Sequence, residues 1–295
     1  MYSNVITTNN VTKDTKWSTT KKLLKSSLVQ TTSEYWSTII QPLLSQGNFA
    51  QLLLVENENL TWRSIMFNMP LNVLKFAVNA GIDSLPTYSN LHKWGKRLSD
   101  KCKHCPNTTG TLHHILCFCP TLLTRYTWRH NSVLRMLTNA AKNNTNNDIQ
   151  IYADIEGHTV NGGTIPANIQ VSSQRPDMVI VDSINRTIII FELTVCFETN
   201  IESAQSRKLD RYAALVADIN ANNWTVTLKT LEIGCRGFIN KNNKSKLNNM
   251  LKASNSRTKL SHLVSDLSRC AILCSFSIFT SRQEATWNDF SLLDL

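Results

Sequence analysis

The chain has 295 residues, a hydrophobic fraction of 42% and a formal net charge of +10. That length and apolar content exclude a peptide or a wholly disordered tail and admit one large or two modest domains. The charge favours a polyanionic partner, with nucleic acid ahead of a membrane surface, and solubility alone is the plain alternative.

No apolar run reaches the length of a membrane span, so no membrane partner is expected. Met1 to Thr8 lacks the basic start and apolar stretch of a secretory signal. The eight cysteines are therefore expected in a reducing compartment. Four of them crowd into residues 102–119, which points to metal rather than disulfides.

Residues 1–34 are rich in Thr, Ser and Lys and read as a disordered lead-in. Residues 35–100 read as a helical segment. Trp36, Ile39, Ile40, Leu43 and Leu44 recur at the three- and four-residue steps of one helix face. Asn68-Met69-Pro70-Leu71 breaks this stretch, and a second helix follows through Leu74, Phe76, Ala77 and Val78. Asp83 to Thr87 reads as a turn.

Residues 101–120 hold the cysteine and histidine cluster. Cys102 and Cys105 have knuckle spacing, and a His and a Cys further on can close a tetrahedral zinc site. The best four ligands are Cys102, Cys105, His114 and Cys119, with His113 and Cys117 as nearby spares. The competing reading is a set of buried thiols without metal. A closed four-ligand site is structural and would fix a small fold presenting Lys96, Arg97, Lys101 and Lys103 to phosphates.

Residues 121–138 read as a helix with Leu122, Leu123, Tyr126, Val133, Leu134 and Leu137 apolar. Arg129 and His130 form a polar knot on it, open to either phosphate contact or bracing of the helix. The Asn-rich stretch from Asn139 to Asn147 reads as a domain boundary. Gly157 to Pro166 reads as a loop.

Strands follow at Asp177–Asp182 and Thr187–Val195, β-branched and bounded by polar turns. Asp177 begins one and Glu192 lies inside the other. A carboxylate beside such apolar runs is costly unless paired or bound to a cation. On adjacent strands the two acids could share Mg²⁺; a turn acid and a strand-edge acid are the structural alternative. Residues 201–220 read as a helix whose apolar stripe runs through Ala204, Leu215 and Ile219. Steps of four from Ala204 place Lys208 and Tyr212 on that same face. A lysine there needs an anionic partner or must extend to solvent. The acid pair is such a partner, and Tyr212 could then bond the same phosphate. Trp224–Ile233 reads as a strand, Asn240–Lys252 as a basic loop running into a helix, and the last forty residues as helical, then ambiguous around Cys270–Phe279. No internal repeat is visible.

An ordered series of segments carries a family resemblance. It comprises Leu85-Pro86-Thr87, Asn90-Leu91, Trp94-Gly95-Lys96, His114-Ile115-Leu116-Cys117-Phe118-Cys119-Pro120 and Trp128-Arg129-His130-Asn131-Ser132-Val133-Leu134. Arg175-Pro176-Asp177, Phe191-Glu192-Leu193-Thr194 and the run from Lys208 to Tyr212 continue it. Together, from about residue 65 to 240, they resemble the C-terminal region of non-LTR retrotransposon polyproteins that carry a restriction-like endonuclease.

The resemblance implies a CCHC zinc knuckle with ligands Cys102, Cys105, His114 and Cys119, then a PD-(D/E)xK-type core over 121–240 with metal-binding acids Asp177 and Glu192. Thr194 stands where such a core usually carries lysine, and Lys208 on the following helix matches the displaced lysine of this family. Arg211 stands where a lysine is usual. In the family the enzyme nicks target DNA, and the exposed 3′ hydroxyl primes reverse transcription. No reverse transcriptase motif of the Tyr/Phe-Ala-Asp-Asp type is found. The chain is therefore expected to be a fragment, a decayed copy or a gene built from the tail of an element.

The expected architecture is α/β: a mixed sheet flanked by helices, preceded by a helical segment and a zinc knuckle, with residues 241–295 as a basic and helical C-terminal extension. The expected function is a Mg²⁺-dependent DNA endonuclease in the nucleus. Asp177, Glu192, Lys208 and Tyr212 would act in catalysis, and Arg129, His130, Arg175 and Arg211 would contact DNA, with RNA a second polyanion the charge admits. The alternatives are a catalytically silent zinc-containing nucleic-acid-binding protein and a zinc-stabilised interaction protein.

Overall fold

The computed structural model describes residues 17–40, 42–43, 49, 65, 68–143 and 148–284. The chain divides into two units, Met1–Asn57 and Glu58–Leu295. In the first unit, α1 spans Trp17–Ile40. This corrects the disordered lead-in over residues 17–34: the run contains neither Gly nor Pro, and Lys and Leu favour helix. Residues 1–16 of that lead-in, and Leu44, lie outside the described residues.

The second unit opens with α2, Leu71–Gly81, entered through Pro70, whose fixed φ suits a helix start. A short helix that the sequence reading missed, α3, spans Tyr88–Lys93. Its signal was present: the Thr87 hydroxyl accepts from the Asn90 backbone N–H at 3.1 Å as an N-cap. The buried Asn90 side chain then donates to Asp83 O and Leu85 O and fixes the preceding turn. A π turn at His114–Phe118 and one 3-10 turn at Pro120–Leu122 lead into α4, Leu123–Lys142.

The strands are β1 Ile149–Ala153, β2 Met178–Asp182, β3 Thr187–Cys196 and β4 Thr225–Gly234. They form one mixed sheet in the order β1-β2-β3-β4. The first two pairings are antiparallel and β3–β4 is parallel. The β2–β3 hairpin is closed by Asp182, whose Oδ1 accepts from the Asn185 N–H at 3.0 Å. The crossover from β3 to β4 is α5, Ile201–Ala221. After β4 come α6, Lys241–Ala253, and α7, Leu260–Thr280.

Alternation along the strands gives the sheet two buried faces. Met178, Ile180, Leu193, Leu231 and Ile233 pack with Val133, Leu134 and Leu137 of α4 and with Leu247, Met250, Leu267 and Ala271 of α6 and α7. Val179, Val181, Ile188 and Ile190 pack on the other face with Tyr212, Leu215 and Ile219 of α5. The result is a helix–sheet–helix arrangement, as expected for an α/β unit.

Three expectations change. The boundary at Asn139–Asn147 does not hold, because α4 continues to Lys142 and packs on the sheet within the unit Glu58–Leu295. Residues 241–284 are not an extension, because α6 and α7 complete the core. Finally, α7 is by length and composition apolar enough to cross a bilayer, contrary to the reading from run length. In this fold it is a buried helix packed against α4 and the cysteine and histidine cluster, which explains its apolarity.

Candidate functional site

The first site is built on the cysteine and histidine cluster. Lys101 pairs with Thr109, and Cys102 N–H donates to Thr108 O at 2.9 Å, which folds Cys102 and Cys105 back toward the π turn. Cys102, Cys105, His114 and Cys119 bring one donor atom each to within 4.8 Å of one another. His114 is buried, and its Nε2 has no hydrogen-bond partner among the described residues. An orphaned imidazole nitrogen facing three thiols fits a tetrahedral zinc ion, whose ligands are thiolates and neutral imidazole.

The spares are engaged elsewhere. His113 stacks against Phe118 and Phe197 and bonds Asn200 at 3.3 Å. Cys117 lies 3.7 Å from the Arg129 guanidinium. A residue read only as apolar supports the cluster: Tyr126 OH accepts from Cys119 N–H at 3.1 Å and donates to Ile115 O at 2.8 Å. Gly110 lies directly under Tyr88, where a Cβ would meet the ring at 2.5 Å, so the cluster's loop packs closely on α3.

The second site sits at the β2–β3 edge beneath α5. Lys208 Nζ lies 2.5 Å from Glu192 Oε2 and 3.3 Å from Asp177 Oδ2. Glu192 Oε1 accepts from Asp177 N–H at 3.0 Å, and Asp177 Oδ2 accepts from Leu193 N–H at 2.7 Å. His130 Nε2 reaches the same Asp177 oxygen at 3.4 Å. Thus the residue just before β2 and one residue each from β3, α4 and α5 contribute their side chains to a single cluster.

Its electrostatics follow from burial and crowding. Burial, then the neighbouring Asp177 charge, push Glu192 up to about 7 against the pull of Lys208. Burial also opposes ionisation of Asp177, but His130, Lys208 and the Leu193 N–H outweigh it and hold its pKa below the ordinary value. Burial disfavours the Lys208 and His130 cations, yet Asp177 and Glu192 hold Lys208 above its ordinary value, and Asp177 does the same for His130. The contacts from Leu193, Lys208 and His130 all fall on Asp177 Oδ2, and Asp177 Oδ1 takes part in none of them.

Several site expectations are corrected. Arg129 is 1% exposed and cannot reach DNA. It donates to Ser275 Oγ, Leu116 O and Val195 O, bracing the π turn against β3 and α7. His130 turns toward Asp177 and belongs to the acid cluster. Tyr212 is also 1% exposed, and its hydroxyl donates to Arg175 O at 3.2 Å. It supports the segment before Asp177 and is not open to a phosphate. Arg175 is exposed and paired with Asp154. Arg211 is exposed, its guanidinium 5.5 Å from the Tyr212 ring centroid.

Sequence reasoning missed a buried ion pair, Arg236 Nε to Glu198 Oε2 at 2.6 Å. It also missed Glu232 on β4, paired with Lys246 at 3.3 Å. Only Glu232, in the alternating run of β4, carried the same signal as Glu192: an acid inside a strand.

No curated protein matches the chain. Residues 45–128 match the family described as zinc-binding in reverse transcriptase. That span contains α2, α3 and all four residues of the cysteine and histidine cluster. Residues 45–128 are therefore a zinc-binding domain of the reverse-transcriptase-type retroelement kind.

Proposed function

We propose that the unit following the zinc-binding domain is a divalent-metal-dependent DNA endonuclease of the restriction-like kind, and that Asp177, Glu192 and Lys208 are its centre. The observation that carries this reading is the convergence on one point of Asp177 at the entry to β2, Glu192 of β3 and Lys208 of α5. Sheet, crossover helix and acid pair have the layout a metal nuclease needs. The net charge of +10 suits a DNA partner.

Asp177 and Glu192 would hold Mg²⁺. The ion would lower the pKa of a coordinated water and offset charge growing on phosphorus. Water oxygen bonds to phosphorus, the bond from phosphorus to O3′ breaks, and O3′ takes up a proton. Lys208 counters the negative charge of the acids and supplies a cation for a phosphate oxygen. His130 orients Asp177. The zinc site holds the π turn, and through Arg129 that turn is tied to Val195 of β3. In an element that integrates by target-primed reverse transcription, such a nick in nuclear DNA supplies the primer.

The test is nicking of supercoiled DNA by the zinc-loaded full chain with Mg²⁺. Wild type should convert it to open circles, and Asp177→Asn should lower the rate about 100-fold or more. Equal nicking by both proteins would falsify the assignment. Salt-sensitive DNA binding without any nicking would select the catalytically silent reading instead.

A further inference from the structure

A second polar site adjoins the acid pair on the same sheet face. Residues two apart on a strand share a face, so Thr194 stands beside Glu192. Its register partner on β4 is Glu232, and Thr230 is opposite Glu192. Glu232 is 1% exposed. Thr194 Oγ1 and Glu232 Oε1 are both shielded from solvent and have no hydrogen-bond partner among the described residues.

Two unpartnered oxygens on neighbouring strands are costly, since each buried polar group left unpaired loses about 1–3 kcal/mol. Such groups persist where something else binds them. Lys246 does not satisfy Glu232 Oε1: it reaches the other oxygen, Oε2, at 3.3 Å. It also donates to Thr230 O at 2.6 Å and lies 3.4 Å from Thr230 Oγ1. The arrangement repeats the first site one strand over, with Lys246 beside Glu232 as Lys208 is beside Glu192.

We propose that Glu232 Oε1 and Thr194 Oγ1 form a second cation site, selective for a hard divalent ion with oxygen ligands, adjoining the one at Asp177 and Glu192. A carboxylate and a hydroxyl suit Mg²⁺ or Mn²⁺, with waters completing the shell. The proposal does not depend on nuclease activity, because cation binding is measured without DNA.

The experiment titrates the zinc-loaded full chain with Mn²⁺ and follows free ion by EPR. Wild type should bind two Mn²⁺ per chain, and Glu232→Gln should bind one. Thr194→Val is nearly isosteric and should weaken one of the two sites about tenfold. Asp177→Asn should lose the other site and retain the one at Glu232. Thr194→Val should also raise the melting temperature of the metal-free protein, because it removes an unpaired hydroxyl, a gain that a site without a ligand role would show without any loss of Mn²⁺. No Mn²⁺ in wild type, a single Mn²⁺ that Asp177→Asn loses and Glu232→Gln keeps, or undiminished binding in both Glu232→Gln and Thr194→Val overturns the proposal. A single Mn²⁺ that Glu232→Gln loses and Asp177→Asn keeps supports it and removes the site at Asp177 and Glu192 instead. If Glu232→Gln fails to fold, Thr194→Val alone decides between the outcomes.

Discussion

Glu192 Oε1 accepts a hydrogen bond from the backbone N–H of Asp177 at 3.0 Å, and Asp177 Oδ2 accepts one from Leu193 N–H at 2.7 Å. Each acid thus holds the backbone at the other. The clasp sits one step beyond the last β2–β3 ladder pair, Met178 with Phe191. The carboxylates are fixed by the fold before any ligand arrives, which is the preorganisation a charged site needs.

Replacing Glu192 separates function from stability. In Glu192→Gln one side-chain oxygen still accepts from Asp177, but the charge is gone. Its folded pKa of about 7 lies above the ordinary value of 4.5, so the fold disfavours the carboxylate at alkaline pH. Relative to wild type, Gln should therefore be more favourable to the metal-free protein at pH 8 than at pH 5. Nicking should fall about 100-fold or more. Thermal melts at pH 5 and pH 8 and plasmid nicking on one preparation check both, and a difference from wild type that does not move toward the variant as pH rises would contradict the assigned burial penalty.

The same shift sets a pH dependence. A raised carboxylate pKa gives stability that is full below 4.5 and lost as pH rises toward 7. His130, also raised, contributes stability below its ordinary 6.5 that is lost as pH rises through its folded value. Asp177, lowered, acts in the opposite sense and loses its contribution only as pH falls below 3.8. The contribution of Glu192 and His130 should therefore fall from pH 5 to pH 8. The melting-temperature difference between wild type and Glu192→Gln isolates the Glu192 part from His113, His114 and His158, whose lowered values act in the opposite sense. Mg²⁺ needs ionised Glu192, so the melting-temperature gain from Mg²⁺ should grow over that interval. A gain independent of pH would remove Glu192 from the ligand set.

What the residues revealed, and what they hid, divides by sequence distance. Lys208 was legible because Ala204, Tyr212 and Leu215 fix its face by local periodicity. The β-branched runs of β2 and β3 were legible for the same reason. Arg129 was not, because its acceptors Val195 and Ser275 lie far along the chain and no local pattern reports them. His130 was hidden likewise, since Asp177 meets it only through packing of α4 on the sheet. β1 is only five residues long and follows an Asn-rich stretch. The apolar run Cys270–Phe279 is buried nearly all round, which erases the amphipathic stripe that marks a surface helix.

Zinc binding should discriminate among the cysteines. Cys119→Ser removes a donor from the four-residue cluster and should abolish stoichiometric zinc, with a stability loss of several kcal/mol. Cys117→Ser leaves the cluster intact and should retain one zinc per chain. Metal analysis after dialysis reads both. Zinc retained in the first variant and lost in the second would exchange their roles and place Arg129 beside the metal.

The Glu198–Arg236 pair should prove structural. Glu198 is fully buried at its side chain, and Arg236 is 4% exposed. Glu198 Oε1 accepts from Arg236 N–H at 2.8 Å, Arg236 Nη1 donates to Ala80 O at 3.2 Å, and the guanidinium stacks 4.2 Å from the Phe197 ring centroid. The pair thereby ties the end of β4 to α2, a helix that precedes the cysteine and histidine cluster. Gly234 is required beside it, since a Cβ there would meet Glu198 Oε1 at 2.4 Å. In Glu198→Ala a buried guanidinium is left without its carboxylate, which typically costs about 3–5 kcal/mol. Replacing both partners, Glu198→Leu with Arg236→Met, removes the uncompensated charge and should recover part of that loss. Chemical denaturation of the three proteins measures it. If Glu198→Ala is as stable as wild type, the pair is not what joins α2 to the sheet, and the apolar packing of Phe76 and Ala77 against α7 carries that junction alone.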